Sequence, residues 1–455
     1  MSVINQSSNF LPRFYRLATV SVLSNMMVPL AGLCDTAFLG HLQEIKYLAG
    51  VILASILFDY LYRILKFLRN STNAMTAQAV GQDDSVGVLL AGLRSGLIAL
   101  AIALGIVTLQ YPIQKLGFFI LSGSQEIEAA GAAYFNARIW GAPAVLLNFV
   151  LIGWFLGREK NGVVLLISIL ANGSNVLLDY LMIYRWNLSS MGAGLATALS
   201  QYLALLVGLI AVALTINWQE LIKAASMVWE ANALKSAVAL KTNILIRFLA
   251  LISAYSIFTN LSASMGAESL AENGLLLQIA LLSQFTIQGV GMTTQTLIGN
   301  FKGKGELNRL MPLMITALVN SVPIALMFAF SCWFFPQTLF GLLTNHQEIN
   351  QEITQYTVWL FPLLSFTAIA FMLEAYFIGL KEGAVLRNAS LVSFILVFLP
   401  VITIASYYNS IDLLWISLIC YMLSLVIYLS WQMLKMQQQL VNPITSTNSQ
   451  KSLET

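Results

Sequence analysis

Two aspartates fall inside stretches of chain that are apolar enough to cross a membrane: Asp35 in the first such stretch, and Asp179 in A-N-G-S-N-V-L-L-D-Y-L. A carboxylate near the centre of a bilayer costs about 2.5–3.5 kcal/mol on the most lenient scale, so it usually pairs, takes up a proton or binds a cation. Asn175 precedes Asp179 by one helical turn on the same face, which sets an amide beside the carboxylate. This is the chemistry of a cation site. The chain offers no nucleophile–base pair, metal motif or phosphate-binding loop, so the residues give no support for an enzyme and exclude ATP hydrolysis as an energy source.

The surroundings of these aspartates set the class of protein. Of 455 residues, 58% are hydrophobic and only 9% are charged, against about 25% charged in a soluble domain. The composition is that of an all-α polytopic membrane protein. A net charge of +3 is too small and too scattered for a nucleic-acid partner. Cys34, Cys332 and Cys420 lie in apolar segments without paired spacing, and His41 and His346 lie in short polar loops, so neither a disulfide framework nor a zinc site is indicated.

Twelve stretches are long enough to cross ~30 Å of hydrocarbon: 15–39, 47–68, 86–110, 134–156, 162–184, 192–214, 241–264, 270–298, 310–335, 354–379, 389–407 and 412–434. With twelve spans, basic residues such as Arg13, Arg16, Arg158, Lys160, Lys302, Lys304 and Arg387 fall on one side, and only Lys46, Lys115 and Arg185 on the other. The positive-inside rule then makes both termini cytoplasmic, in a plasma or inner membrane. The expected organisation is a six-helix lobe over 1–214, a cytoplasmic linker over 215–240, a second six-helix lobe over 241–435 and a disordered polar tail over 436–455. In the linker, the spacing of Trp218, Leu221, Ile222, Met227 and Trp229 predicts an amphipathic helix on the membrane surface.

The chain also repeats itself at about 220 residues. F-L-G-R-E-K-N-G (155–162) aligns with F-I-G-L-K-E-G-A (377–384), bringing Gly157 and Gly379 into register. T-A-Q-A-V-G (76–81) aligns with T-Q-T-L-I-G (294–299). Six spans return the chain to its starting side, so the halves run parallel, related by an axis along the membrane normal. A bundle of this kind, with a cavity between its halves, suits alternating access.

V-P-L-A-G-L-C-D-T-A-F-L-G-H-L (28–42) followed by F-L-R-N-S-T-N-A-M-T-A-Q-A-V-G (67–81) resembles the signature of the multidrug and toxic compound extrusion family, in its DinF-like branch. Y-F-N-A-R-I-W-G-A-P-A (134–144), G-W-F-L-G (153–157), N-V-L-L-D-Y-L (175–181) and G-A-G-L-A-T-A-L-S-Q (192–201) extend the likeness over nearly the whole chain. The resemblance implies a monomeric secondary transporter without a cofactor. It would export amphipathic, cationic organic molecules across the lipid bilayer by antiport with protons, or alternatively with sodium. It also implies that the coupling ion is held in the first lobe by Asp35, Asn175, Asp179 and Thr197, with no metal beyond Na⁺ itself. The residues are compatible with either ion. Their oxygens are hard ligands suited to sodium, and two nearby carboxylates in a low-dielectric lobe do not easily both stay ionised. Pro29, six residues before Asp35, can kink the first helix by removing a backbone donor, and so link the charge of Asp35 to the shape of the cavity.

The second half lacks the aspartate pair but carries Glu374, in F-M-L-E-A-Y-F-I-G-L. It is a candidate for substrate contact or second protonation, or else for a pair with a base such as Arg387. In L-Y-R-I-L-K-F-L-R, Arg63 and Lys66 depart from DinF-like relatives: either they snorkel to the surface or they line the cavity. If Arg63 lines the cavity, amphipathic anions or zwitterions become cargo candidates, and the alternative of a lipid-linked precursor flippase gains weight. Arg138 reads as structural. Trp154, Trp359, Phe361, Phe366, Phe371, Met372 and Tyr376 are candidate walls for flat amphipaths.

Overall fold

A computed structural model describes residues 10–40, 45–121, 124–341 and 353–441, and of residues 28–40, 45, 267, 341 and 439–441 it describes the backbone only. The first half contains α1 (Leu11–Gly40), α2 (Ile45–Leu65), α3 (Phe67–Gly81), α4 (Ser85–Thr108), α5 (Gln110–Leu121), α6 (Gln125–Arg138), α7 (Ala142–Gly157), α8 (Asn161–Asp179) and α9 (Ser189–Thr215). A connecting helix α10 (Trp218–Ser226) leads to the second half. That half contains α11 (Ala231–Ser264), α12 (Ala267–Lys304), α13 (Leu310–Phe334), α14 (Pro336–Gly341), α15 (Leu360–Gly379), α16 (Gly383–Val392), α17 (Leu399–Tyr408) and α18 (Ile411–Val441). No strand occurs among the described residues. Among the described residues eleven helical stretches are long and apolar enough to span a membrane, and α1 adds a twelfth helix of 30 residues. The architecture is two six-helix lobes.

The spans run further than hydropathy suggested. The second, expected over 47–68, continues through α2 and α3 to Gly81, 36 residues in all. At 1.5 Å per residue that is about 54 Å, well beyond the ~30 Å hydrocarbon layer. Its interruption at Lys66 is slight, because the Lys66 N–H still donates to the Tyr62 carbonyl at 3.1 Å and Asn70 N–H to the Lys66 carbonyl at 3.3 Å. The last ten residues of the expected linker also belong to a span: α11 begins at Ala231, since A-N-A-L-K-S-A-V-A-L is built largely of strong helix formers although more polar than the run that follows it. For the same reason α18 continues to Val441, six residues into the expected disordered tail. α5, between the third and fourth spans, was not anticipated.

The connecting helix α10 starts where Asn217 caps it, its side chain accepting from Gln219 N–H at 3.0 Å. Arg94 of α4 donates to the carbonyls of Met227 and Val228, at 2.8 and 3.1 Å, and fastens the end of the connection to the first lobe. Trp218 and Ile222 on α10 stay exposed, as does Trp229 beyond its end. Pro400 leaves a residue without an N–H at the start of α17, and a π-helical stretch, Ser393–Phe398, precedes it.

α12 is the central helix, packing on α1 and α3 of the first lobe and on α13 and α15 of the second. Close approach needs small residues, because helices gain little from the hydrophobic effect in lipid and associate by packing and polar contacts. A Cβ on Gly303 would sit 2.3 Å from the Gln78 carbonyl, and one on Gly81 would sit 2.2 Å from that of Asn300. Gly157 packs on Asn73 and Ala77 of α3, while Gly379 packs on Gln295 and Ile298 of α12, so the aligned glycines make matching contacts in the two halves.

Candidate functional site

The seam where the lobes meet is polar. Gln78 donates to the Gly379 carbonyl at 2.7 Å, and Thr296 to the Asn73 side-chain oxygen at 2.9 Å. Arg13 of α1 pairs with Glu159, in the turn before α8, and donates to Asn300 of α12 at 3.0 Å. Lys241 of α11 is 3% exposed. Its ammonium donates to Ser71 and Ser95 of the first lobe at 2.9 and 3.0 Å. These ties hold the ends of α3, α12 and α15 together.

Away from the seam lies a cavity of about 280 Å³ between α2 of the first lobe and α11 and α12 of the second. Asp59, Arg63 and Lys66 line it along one face of α2 and its junction with α3. Neither cation snorkels out of the protein. Tyr60, Phe248, Tyr255 and Phe285 give it aromatic walls, and the Lys66 ammonium stands 5.1 Å from the centre of the Phe285 ring. Past Lys66 it continues into a smaller recess of about 50 Å³ bordered by Arg69, Arg247 and Glu374.

Glu374 is 5% exposed and paired at both oxygens with Arg247 of α11, Nε to Oε1 at 2.8 Å and Nη2 to Oε2. Arg387, the base that the sequence offers for Glu374, instead turns its guanidinium to Asn243 and Asn388. The base that Glu374 does use, Arg247 in I-L-I-R-F-L-A-L-I, carries the same sequence signal as Glu374 itself: one charge in an apolar run. Arg138 lies over the rings of Phe58, Tyr134 and Tyr62, at 4.5, 5.5 and 5.9 Å, and does not line the cavity. Of the candidate aromatic walls only Phe371 reaches the recess. Trp154, Met372 and Tyr376 are buried in packing, with Trp154 Nε1 donating to the Val88 carbonyl, and Trp359 Nε1 donates to Asp412.

In the first lobe, Asp179 is the last residue of α8 and is 1% exposed. Asn175, one turn earlier, is buried on the same face, and its Nδ2 has no hydrogen-bond partner among the described residues. Beyond Asp179 the helix widens into a π turn, Tyr180–Arg185, a distortion frequent at functional sites. α8 packs against α1, which carries Asp35, and against α9, which carries Thr197. The Thr197 hydroxyl donates to its own helix, to the Ala193 carbonyl at 2.9 Å. The side chains of Pro29 and Asp35 lie outside the described residues, while their backbone belongs to the unbroken helix α1.

The repeat decides the family. The MatE family profile matches residues 21–181 and again 244–404, two equal lengths that together cover well over half the chain. The chain belongs to the MatE family. Among curated MatE-like relatives, the DNA damage-inducible protein F of Escherichia coli K12 is 29% identical over 383 residues, covering 83% of each chain. The probable multidrug resistance protein NorM of Thermotoga maritima is 22% identical over 77% of this chain and 76% of its own. In structure, the MatE fold here is similar to a MOP-superfamily transporter from Pyrococcus furiosus, described as having a binding pocket of reversed polarity. The TM-score is 0.83 at 19% identity, over 93% of this chain and 95% of that one.

Proposed function

We propose that this MatE protein is a secondary active exporter of amphipathic small molecules that works by alternating access. The observation that carries the reading is the cavity between the lobes, lined by rings and charges and closed at one end by the polar seam. The basic side of the chain, with Arg13 and Lys302, lies at that seam. Under the positive-inside rule the seam is cytoplasmic, which makes the conformation outward-open and both termini cytoplasmic in the inner or plasma membrane.

Proton antiport through Asp35 and Asp179 is the preferred coupling. The burial of Asp179 beside Asn175, on a helix packed against that of Asp35, supports a charge that must be neutralised where it stands. Sodium is the alternative, since the Asn175 side chain also carries an amide oxygen, a hard ligand of the kind sodium takes, one turn from the Asp179 carboxylate. The expectation of cationic cargo loses support from Arg63 and Lys66 in the cavity wall, and the lipid-linked precursor reading gains from them. The decisive experiment is efflux from proteoliposomes with proton and sodium gradients imposed separately. Transport driven by a proton gradient in sodium-free buffer supports the proposal; transport that returns only with a sodium gradient replaces the coupling ion, and no gradient-driven transport at all sinks the exporter reading.

A further inference from the structure

The cavity has an excess of one charge sign that its own walls leave uncompensated. Arg63, Lys66 and Arg69 come from successive turns of α2 and α3 and border the cavity or its recess. Asp59 is the one carboxylate lining the larger space. Arg247 contributes nothing to the excess, because Glu374 matches it oxygen for nitrogen.

The three cations are not held by carboxylates. Neither Arg63 nor Lys66 makes a side-chain hydrogen bond or ion pair to another described residue; Lys66 has only the face of Phe285. Arg69, buried, reaches the Asn25 amide oxygen at 3.4 Å and keeps its Nε without a partner. Withdrawing a charge from water without a counter-ion costs several kcal/mol, so a partner that brings negative charge is favoured there and one that brings positive charge is opposed. The opposite wall suits the rest of such a molecule. Phe248, Leu251, Tyr255, Leu277 and Phe285 present an apolar surface within a few ångströms of the cations.

Building on the exporter reading, we infer that the cargo is an amphipath with an acidic head, a carboxylate, sulfonate or phosphate. Its head is bound by Arg63 and Lys66 and its apolar body lies along Phe248, Tyr255 and Phe285. Arg63 offers a planar fork for two oxygens of the head, and Lys66 a point charge beside it. Asp59, one turn before Arg63, opposes such a head from the rim and sets an upper limit on its charge. The space, about 280 Å³, is near the lower end for small-molecule sites and fits a head with a short apolar body, or the head of a larger lipid whose chain leaves the cavity.

The test is binding to the full chain in nanodiscs, using probes matched in apolar length: decanoate against decyltrimethylammonium, with a polyprenyl phosphate as the lipid source of the same head chemistry. At least one of the two anions is expected to bind about tenfold or more tightly than the ammonium probe. Which anion wins tells a soluble acid from a lipid-linked one. Arg63→Gln and Lys66→Gln are each expected to weaken the anion about tenfold, the size of one charge-assisted hydrogen bond. Arg63→Lys should recover much of the affinity, which separates lost charge from lost folding, and Asp59→Asn should strengthen the anion. Equal or tighter binding of decyltrimethylammonium, or anion binding indifferent to Arg63→Gln and Lys66→Gln, overturns the inference. Gradient-driven movement in proteoliposomes separates the two readings. Movement of the ammonium probe without either anion overturns this inference and leaves export standing, whereas binding that depends on Arg63 without any driven movement upholds the site and overturns export.

Discussion

Asn73 and Gln295 occupy the same place in the two repeats at the offset of 222 residues that brings Gly157 onto Gly379 and Gly81 onto Gly303, and each reaches across to the other lobe. That register lies four residues away from the one that matches T-A-Q-A-V-G with T-Q-T-L-I-G. The Asn73 amide donates to the Met292 carbonyl at 3.5 Å and the Gln295 amide to the Asn70 carbonyl at 2.7 Å. The spacing that separates Asn73 from Gln295 also separates Asn70 from Met292, so one contact is made twice about the pseudo-symmetry axis. Such a seam has an energetic consequence: its ties are a handful of separate polar contacts, from the amides and Thr296 at about 0.5–1.5 kcal/mol each to the charged Arg13 and Lys241 at about 1.5–3 kcal/mol, and an interface of discrete ties can open in a transport cycle.

Gln295→Ala is therefore expected to shift the protein away from the closed seam without unfolding it. Cysteine accessibility at the seam, measured in vesicles, should rise several-fold. Unchanged accessibility would show that Gln295 is not a tie.

Gly303→Val makes the same shift by a steric route. Its new Cβ would lie 2.3 Å from the Gln78 carbonyl and 2.8 Å from Gly81 Cα, both of them backbone atoms that cannot swing aside. Transport should fall at least about tenfold, in line with the 1–3 kcal/mol of a forced overpacking. Wild-type turnover in this variant would mean that the seam does not close so tightly during the cycle.

Glu374→Gln leaves the Arg247 guanidinium buried without its counter-charge. A loss of about 3–5 kcal/mol is expected for breaking such a pair from one side. Replacing both residues, as in Arg247→Met with Glu374→Leu, should cost much less, and thermal unfolding in detergent compares the two. Equal loss in both variants would assign the damage to packing instead of charge.

Asp35→Asn should abolish coupled transport while the protein stays folded, because asparagine keeps size and hydrogen bonding but cannot change charge. Efflux at the wild-type rate from purified Asp35→Asn protein excludes it from coupling.

Asp179→Asn and Asn175→Ala should weaken coupling, and the aspartate variant should also alter the pH profile of transport if two carboxylates titrate together. An identical pH profile in Asp179→Asn and wild type would remove Asp179 from the ion site.

Much of this protein is written in its sequence. Apolar runs of span length admit one kind of structure in lipid, where every backbone polar group must be satisfied within a helix, and this fixed the twelve helices and their all-α character. The repeat was legible because Gly157 and Gly379 cannot be exchanged for larger residues where helices cross. Asp179 and Asn175 were legible because a charge in an apolar run is rare, and helical spacing alone sets them on one face.

What composition and periodicity do not encode is which helices meet. The pairing of Glu374 with Arg247 and not Arg387, and the reach of Lys241 to Ser71 and Ser95, depend on contacts between distant segments. Whether Arg63 and Lys66 faced water, lipid or cavity was equally open on the page, because both side chains are long enough for any of the three. The position of α2 against α11 and α12 decided it, and with it the charge of the cavity.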